Sequence, residues 1–469
     1  MKQESAVQPS WGDLLSGPNG LKSLALAGGV ALHAINIYVV TTILPTIIDE
    51  IGGLQFYAWN TTLFVIASIV GSALATKLLQ STQPKSAYLI ALLVFSIGST
   101  LCALAESMPF LLIGRVVQGF GGGILFALSY ALIRIVFTEN LWARAMALVS
   151  AMWGIATLIG PAIGGIFAQM GDWRLAFWIL LPVSLILALI VNAQFKQTTE
   201  KSNTAQQIPI VSITLLVLSV LSISVGSLSP KLELNILGMV AGLVFAVLIA
   251  KIDSKAEHKL LPTGAYSLST QLGVLYALMC LLVAALTTEI YVPYFLQIIH
   301  GFSPLSAGYM TAMMAGGWTL AAIFSAGRSN KTIDKFVRFS PLIILVALIC
   351  LAILSPRSSW SDNGLGILVY CIILAAVGFG IGLAWPHILT RVFSAAKSGE
   401  ETLASSSITT IQLYATALAA ALAGIVTNIA GLTSPGGVEG ARTAAFYLFA
   451  IFAVTPVLAL LLASKIKSQ

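Results

Sequence analysis

Long apolar stretches of about 20 residues, separated by short polar breaks, run along most of the chain. Such lengths suit helices that cross a bilayer, because a helix rises 1.5 Å per residue and the hydrocarbon core is about 30 Å thick. The pattern predicts fourteen transmembrane helices, grouped as six, two and six by polar breaks at 196–207 and 251–259. The predicted segments are Leu24–Ile47, Tyr57–Leu78, Ala87–Ala105, Phe110–Phe137, Met146–Met170, Leu175–Phe195, Ile208–Leu228, Leu234–Ile252, Leu272–Phe295, Leu305–Phe324, Phe339–Leu354, Gly366–Ile388, Ile408–Ile429 and Ala444–Leu462.

This grouping predicts an all-α polytopic membrane protein made of two six-helix bundles and an additional helix pair. We expect cytoplasmic tails at 1–23 and 463–469, an N-terminal bundle at 24–195, a linker with the two additional helices at 196–271, and a C-terminal bundle at 272–462. No signal peptide is expected, because no charged head precedes a short apolar core with a small-residue cleavage site.

The composition excludes several classes of protein. Of the 469 residues, 58% are hydrophobic and 9% are charged, and the mean hydropathy is +0.95. A soluble domain carries about 25% charged residues, so this chain lacks the charge to cover a water-facing surface of its size. The four cysteines and four histidines are scattered, and no metal-ligand or phosphate-loop spacing is present. We therefore expect no catalytic residues, cofactor, metal or nucleic-acid partner, and an ion gradient as the energy source for any transport.

The positive charges predict the orientation. With the N-terminus on the cytoplasmic side, 19 of the 24 Lys and Arg residues fall in cytoplasmic connections and tails. Arg115 lies within a segment, and the four on the outside are Arg174, Lys231, Arg357 and Arg442. Cytoplasmic loops of membrane proteins carry an excess of Lys and Arg, so both termini are predicted to be cytoplasmic. An odd number of helices would place the C-terminal lysines outside.

The two segments around Arg115 and Pro161 carry the most specific pattern. A cation inside an apolar segment is costly and suggests a function, although a structural ion bonded to backbone carbonyls is the alternative. The pattern also includes the glycines Gly119, Gly123, Gly154, Gly160, Gly164 and Gly165. Small residues four apart share a helix face on which two backbones can approach closely, and ordinary tight packing would produce the same spacing. Pro161 removes one backbone donor and is expected to bend its helix.

Three stretches resemble motifs of one known family. Arg115–Gly123 resembles the fourth-helix motif of the major facilitator superfamily, and the Gly-Pro-x-x-Gly-Gly run at 160–165 resembles the fifth-helix motif that marks its drug:proton antiporters. The stretch Glu289–Tyr309 resembles the ninth-helix motif of the fourteen-helix antiporters. The resemblance covers nearly the whole chain, and it implies the major facilitator fold with a substrate site between the two bundles.

The chain departs from the family pattern at three places. Asn36 stands where the first-helix motif of relatives has an aspartate, and Ala156 stands where the fifth helix usually has another glycine. The connection Ala75–Lys85 lacks the acidic residue and central glycine of the loop that helps hold one conformation in relatives. We expect these departures to leave the fold intact. The change at Asn36 bears on the binding of protons, and the change in the connection bears on the charge contacts that hold one conformation on the cytoplasmic side.

The resemblance implies a secondary transporter that exports small amphipathic or drug-like molecules in exchange for protons, by alternating access. A non-coupled facilitator or a sensor built on the same fold is the alternative. We expect a monomer in the bilayer of the bacterial cytoplasmic (inner) membrane.

Glu289 is the only acidic residue well inside an apolar segment, so Glu289 and Arg115 are the candidates for proton coupling. The sequence leaves open whether the two approach each other, and a static ion pair is the alternative. The candidates for the substrate cavity are Asn36, Gln118, Tyr130, Trp153, Tyr291, Tyr294 and Gln412. For the aromatic residues among them, simple packing is an equally good interpretation.

Overall fold

The computed structural model describes residues 10–195, 208–229 and 231–466, and every regular element within them is a helix. The α-helices are α1 (Trp11–Leu15), α2 (Gly17–Ile51), α3 (Tyr57–Thr82), α4 (Pro84–Ala103), α5 (Met108–Ala131), α6 (Ile133–Val136), α7 (Trp142–Gln169), α8 (Leu175–Trp178), α9 (Leu180–Gln194), α10 (Ile210–Ser227), α11 (Leu232–Asp253), α12 (Gln271–Thr287), α13 (Val292–Ile298), α14 (Pro304–Ser325), α15 (Asn330–Leu354), α16 (Gly364–Ala395), α17 (Glu401–Ile429), α18 (Gly437–Phe452) and α19 (Val454–Ala463). Short 3₁₀ helices lie at Leu54–Phe56, Glu139–Leu141, Thr288–Tyr291 and Ser358–Trp360.

Thirteen helical stretches in the described part of the chain are long and apolar enough to cross a membrane. They coincide with thirteen of the fourteen predicted segments. The remaining prediction, Leu305–Phe324, corresponds to α14, which is a helix of 22 residues but is less apolar than the others. Glycine, alanine, serine and threonine replace large apolar residues along α14, because its faces pack closely against other helices.

Several predicted helix bounds were wrong. Helix α15 begins at Asn330 rather than at Phe339, because the charged residues that precede Phe339 form its first turns. Helix α2 begins at Gly17, so the predicted tail at 1–23 contains α1 and the start of α2, and residues 1–9 lie outside the described residues. The polar break at 196–207 also lies outside them.

The predicted segment Leu272–Phe295 is interrupted. Helix α12 ends at Thr287, a 3₁₀ turn follows at Thr288–Tyr291, and α13 continues from there. Pro293 occupies the second position of α13, where a missing backbone N–H costs no intrahelical hydrogen bond. A 3₁₀ stretch in the middle of a span often marks a hinge, and here it contains Glu289.

Both halves of the molecule use backbone contact between two of their helices. In the N-terminal half, a Cβ atom added at Gly119 of α5 would lie 2.3 Å from the carbonyl oxygen of Phe64 on α3. In the C-terminal half, a Cβ atom added at Gly378 of α16 would lie 1.6 Å from the carbonyl oxygen of Met314 on α14. Only glycine fits at such distances, so the second and fourth long helices of each half form one tightly packed unit.

The additional pair, α10 and α11, packs against α17 of the C-terminal half. The Asn428 side chain donates to the backbone carbonyl of Ser227 at 3.0 Å, near one end of α10. Farther along α10, the hydroxyls of Ser219 and Tyr414 share a hydrogen bond of 3.0 Å. These polar contacts between apolar helices fix the register of the pair on α17.

The loop at 254–270 fastens the other end of the pair to the same half. The carboxylate of Asp253 is fully buried and accepts hydrogen bonds from two backbone N–H groups of this loop at 2.7 and 3.1 Å, and from the hydroxyl of Tyr266 at 2.9 Å. Burial and the neighbouring Asp253 carboxylate raise the pKa of Tyr266. Hydrogen bonds from Thr263 hold the pKa of Glu400, just before α17, below its usual value. The additional helices are therefore anchored to α17 at both ends.

Candidate functional site

Consecutive spans alternate in direction, so the bundle has two ends. We call the end at which α2 stops and α14 begins the Glu50 end, and the opposite one, which carries Lys77 and Lys85, the basic end. At the Glu50 end, Arg174 forms an ion pair of 2.5 Å with Glu50, which also accepts a hydrogen bond of 2.7 Å from the indole of Trp173. This contact ties the end of α2 to the connection that follows α7.

Arg115 is buried in the N-terminal half among neutral partners. Its Nε donates to the backbone carbonyl of Asn60 at 3.3 Å, and its Nη1 donates to Gln118 Oε1 at 2.7 Å and to Asn36 Oδ1. The guanidinium carbon lies 4.1 Å from the ring centroid of Phe64, a cation–π distance. Among the described residues, Arg115 has no carboxylate partner. The structure thus brings the predicted residues Asn36, Gln118 and Arg115 into one network.

Three buried polar atoms beside this network have no hydrogen-bond partner in the described part of the chain: His33 Nδ1, Asn36 Nδ2 and Asn60 Oδ1. An unpaired buried polar atom costs about 1–3 kcal/mol, so the network is polar but incompletely satisfied. Sequence reasoning missed Asn60, because it serves Arg115 through its backbone carbonyl, a group that every residue carries. The His33 ring stacks on Phe64, with 5.3 Å between ring centroids.

Glu289 lies in the 3₁₀ turn between α12 and α13 and is half-buried. Within the described residues its carboxylate forms no hydrogen bond or ion pair, and the neutral phenol of Tyr38 on α2 lies within electrostatic range of it. Tyr38 follows Asn36 by two residues, which places their side chains about 200° apart around the helix. Helix α2 therefore separates Glu289 from Arg115, and the two form no ion pair.

Two glycines of α7 hold it against α2. A Cβ atom added at Gly160 would lie 2.4 Å from the Cβ of Tyr38, and one added at Gly164 would lie 2.9 Å from the carbonyl oxygen of Val39. Helix α7 stays continuous through Pro161. The close approach of α7 brings it to the same face of α2 that carries Tyr38, the neighbour of Glu289.

An adjacent face of α7 contacts the other half of the molecule. A Cβ atom added at Gly165 would lie 2.5 Å from the Cα of Leu305, and one added at Gly308 would lie 2.9 Å from the Cβ of Pro161. Gly154 differs from the other motif glycines, because a Cβ atom added there meets no described residue within 4 Å. The fifth-helix motif therefore forms contacts both within the N-terminal half and between the halves, and all of them lie toward the Glu50 end.

The predicted cavity residues Tyr291 and Tyr294 lie in a second contact between the halves. The ring of Tyr57 on α3 stacks on Tyr291 at 4.7 Å and meets the edge of Tyr294 at 5.4 Å. The Tyr57 hydroxyl donates to the carbonyl of Ile290 at 3.0 Å, and the Tyr291 hydroxyl accepts from Thr427 at 3.0 Å. The two residues that follow Glu289 in the chain, Ile290 and Tyr291, are thus bonded to or stacked on Tyr57 across the boundary between the halves.

The other predicted cavity residues are dispersed. Tyr130 and Trp153 form an aromatic cluster with Phe126, at ring distances of 5.4 and 6.1 Å, and His33 lies 5.4 Å from the same ring. Gln412, on α17, belongs to neither this cluster nor the tyrosine contact. No group of three or more His, Cys, Asp or Glu side chains in the described ranges could hold a metal ion.

An all-helical bundle of this kind, with glycine-packed spans, an embedded arginine and a lone carboxylate at the boundary between two halves, has the architecture of a membrane transporter. The family model described as Major Facilitator Superfamily matches residues 26–420, and the chain belongs to that superfamily. The resemblance predicted from the motifs is thereby confirmed, and the chain is a multi-pass integral membrane protein.

Curated relatives carry names that agree with this assignment. The chain is 36% identical to a protein named probable multidrug-efflux transporter from Mycobacterium tuberculosis (strain H37Rv), over 98% of this chain and 97% of the relative. It is 26% identical to the multidrug efflux pump SdrM of Staphylococcus aureus, over 74% of this chain and 77% of the pump. The relatives are transporters of small molecules and not enzymes.

Solved structures share the fold. A peptide transporter POT superposes with a TM-score of 0.66 at 13% sequence identity, covering 98% of this chain and 96% of that one. A D-xylose-proton symporter superposes with a TM-score of 0.62 at 13% identity, covering 96% and 98% of the two chains. At such identities these likenesses establish the architecture alone.

Proposed function

We propose that this protein is a proton-coupled exporter of small amphipathic, drug-like molecules that works by alternating access. The efflux names of the relatives support the substrate class. The observation that carries the proton coupling is the position of Glu289, a carboxylate at membrane depth without an ionic partner among the described residues. A carboxylate whose surroundings change between two conformations can bind and release one proton in each cycle.

The contacts around Glu289 explain how its surroundings would change. Its neighbour in the chain, Tyr291, stacks on Tyr57 of the other half, and its electrostatic neighbour Tyr38 also belongs to the other half. Separation of the halves at the Glu50 end would move Tyr57 and Tyr38 away from Glu289 and admit water to its carboxylate. The proton affinity of the carboxylate would then depend on which end of the transporter is open.

The charge distribution supports an orientation of the protein in the membrane, and the contacts between the halves support a conformational state. With the basic end in the cytoplasm and α14 counted as a span, the chain has fourteen transmembrane helices and both termini inside, in a bacterial cytoplasmic membrane and as a monomer. The contacts of Gly165 with Leu305 and of Tyr57 with Tyr291 then lie at the outer end. The structure corresponds on this proposal to the conformation closed to the outside.

The candidate site residues take different roles on this proposal. Asn36 and Gln118 bond to Arg115, so we assign them to positioning the buried cation. Tyr130 and Trp153, in the aromatic cluster, are the candidates for substrate contact, with Gln412 contributed by the C-terminal half. Tyr291 and Tyr294 close the outer end beside Glu289.

The test is transport by the purified protein in proteoliposomes with an imposed pH gradient and a fluorescent amphipathic dye such as ethidium. We expect dye accumulation driven by the gradient, proton movement when dye is added, and loss of both with a protonophore. Dye equilibration without proton movement would instead support the non-coupled facilitator. Dye binding without any flux would support a sensor.

A further inference from the structure

Two long pairs of helices, α7 with α14 and α3 with α17, join the halves on opposite sides, in addition to the contacts that α13 makes with α2 and α3. Both pairs are in close contact near the Glu50 end. A Cβ atom added at Gly165 of α7 would lie 2.5 Å from the Cα of Leu305 on α14. A Cβ atom added at Gly424 of α17 would lie 3.1 Å from the Cβ of Ala58 on α3. The space between the two helices can therefore be compared for both pairs at the same distance from these contacts, toward the basic end.

The α7–α14 pair opens toward the basic end. Gly154 and Gly316 lie eleven residues from Gly165 and Leu305, on nearly the same helix faces, because eleven residues make about three turns. Among the residues that the structure describes, a Cβ atom added at Gly154 meets nothing within 4 Å, and one added at Gly316 meets only Met313 of its own helix, at 3.7 Å. Eleven helical residues span about 16 Å. Over that distance the two helices pass from backbone contact to open space, which we call the α7–α14 cleft.

The α3–α17 pair is filled at the same depth. Eleven residues from the contact of Ala58 with Gly424 lie Ile69 and Leu413, and both belong to one apolar cluster. The cluster is completed by Leu216 of α10, which is 2% exposed, and by Ile249 of α11. Side chains of the additional pair therefore occupy the space between α3 and α17.

The filling continues toward the Glu50 end. Val220 and Ile223 of α10 are buried against Val65 of α3 and Ala421 of α17. Helix α10 is bonded to α17 along its length, so it covers the α3–α17 side of the boundary between the halves. The additional pair thus closes one of the two sides and leaves the α7–α14 cleft uncovered.

The open cleft is apolar. Exposed side chains on its two helices include Ile155 and Leu158 of α7, and Leu320 of α14, which are 41%, 62% and 66% exposed. Helix α14 has no charged residue. Trp153, next to Gly154, belongs to the aromatic cluster around Phe126, so the cleft leads to the residues assigned to substrate contact. Such a surface suits a lipophilic molecule dissolved in the bilayer.

We propose that the α7–α14 cleft is the lateral portal through which a lipophilic substrate enters from the membrane, and that α10 and α11 seal the opposite route. This inference rests on the proposed function, because it names where the exported molecules enter. Gly154 and Gly316 act as portal residues, since their missing side chains leave the passage open.

The first test replaces the two portal glycines. Gly154→Trp and Gly316→Trp place bulky rings in the cleft, and Val244→Trp on the exposed surface of α11 is the matched control. In proteoliposomes, we expect the portal variants to transport a membrane-partitioning dye about tenfold more slowly than wild type, while a water-soluble dye and the control variant are affected less than about twofold. Wild-type rates for the membrane-partitioning dye in both portal variants, or an equal loss with both dyes, would overturn the portal.

The second test does not require transport and separates this inference from the proposed function. A lipophilic diazirine probe is dissolved in the bilayer around the wild-type protein, irradiated, and its adducts are mapped by mass spectrometry. We expect labelling at 150–158 and 313–320 that an excess of unlabelled dye reduces. Labelling at 64–69 and 413–421 instead, or labelling at the cleft that only added phospholipid reduces, would overturn the portal even if the protein exports drugs.

Discussion

The guanidinium of Arg115 on α5 donates a hydrogen bond to the side-chain carbonyl of Asn36 on α2. In the first-helix motif that the sequence resembles, an aspartate stands at the position of Asn36. An amide can orient the cation, but it can neither neutralise its charge nor take up a proton. Within the described part of the chain, Arg115 therefore has no carboxylate partner, and on the proposed function the proton would be carried by Glu289 in the other half.

Asn36→Asp should make the protein more stable to heat. The existing bond is already charge-assisted by the guanidinium, and a carboxylate would add the direct attraction of an opposite charge to a cation that is already desolvated. The measurement is the thermal unfolding midpoint of the purified protein in detergent. Asn36→Leu is the control and should lower the midpoint, because it removes an acceptor from the cation. A lower midpoint for Asn36→Asp would mean that the network around Arg115 does not lack negative charge.

Gly160→Leu should abolish transport while the protein remains in the membrane. The added Cβ would lie 2.4 Å from the Cβ of Tyr38, and overpacking of this kind costs about 1–3 kcal/mol. That is enough to bias a transporter whose states differ by a few kcal/mol. Gly160→Ala should already slow transport, whereas the matched control Gly154→Ala, which enters open space, should not. Equal rates for the two alanine variants would show that the contact between α7 and α2 is not critical.

Glu289→Gln should retain dye binding and downhill exchange but lose accumulation driven by a pH gradient. Glutamine has nearly the same shape and cannot release a proton, so only coupling is removed. Glu289→Asp should retain part of the driven transport. Glu50→Gln is the control, because Glu50 is half-exposed and its ion pair with Arg174 lies at the helix end. Driven transport by Glu289→Gln with an unchanged pH profile would move the coupling role to another group.

Single cysteines should report the orientation. Ser254 follows α11 at the basic end and Thr433 follows α17 at the Glu50 end, and both are exposed. An impermeant maleimide added to intact cells should label Thr433→Cys and leave Ser254→Cys unlabelled until the membrane is opened. The four native cysteines are replaced beforehand to remove background labelling. The reverse pattern would place the termini outside and invert the proposed direction of access.

The sequence predicted the helices well, because runs of apolar residues and helix length are set by the same bilayer thickness. It failed where a helix extends beyond the apolar run, as at Asn330, and where a span changes pitch, as around Glu289. Pro293, at the start of α13, was the available signal for that change. Whether Arg115 and Glu289 can approach each other depends on the helix that lies between them, α2, and on how it is rotated. Hydropathy does not determine that rotation.

The candidate site was predicted in part. Asn36, Gln118 and Arg115 were expected individually from motifs, and the structure joins them, but the role of Asn60 came from its main chain. The roles proposed for these residues remain predictions. The fifth-helix glycines looked equivalent along the sequence, yet only the structure separates Gly160, in contact with α2, from Gly154, which faces empty space.

The backbone contacts of α5 with α3 and of α16 with α14 have a consequence for molecular evolution. A Cβ atom added at Gly119 or Gly378 would clash with a main-chain carbonyl oxygen, at 2.3 and 1.6 Å respectively. A clash between two side chains can be relieved by a second substitution that makes the partner smaller. A main-chain carbonyl is present in every residue, so no substitution removes it. A substitution at either glycine therefore cannot be compensated at its contact, and on the proposed function we expect changes in substrate range to arise from the side chains around the aromatic cluster and the α7–α14 cleft.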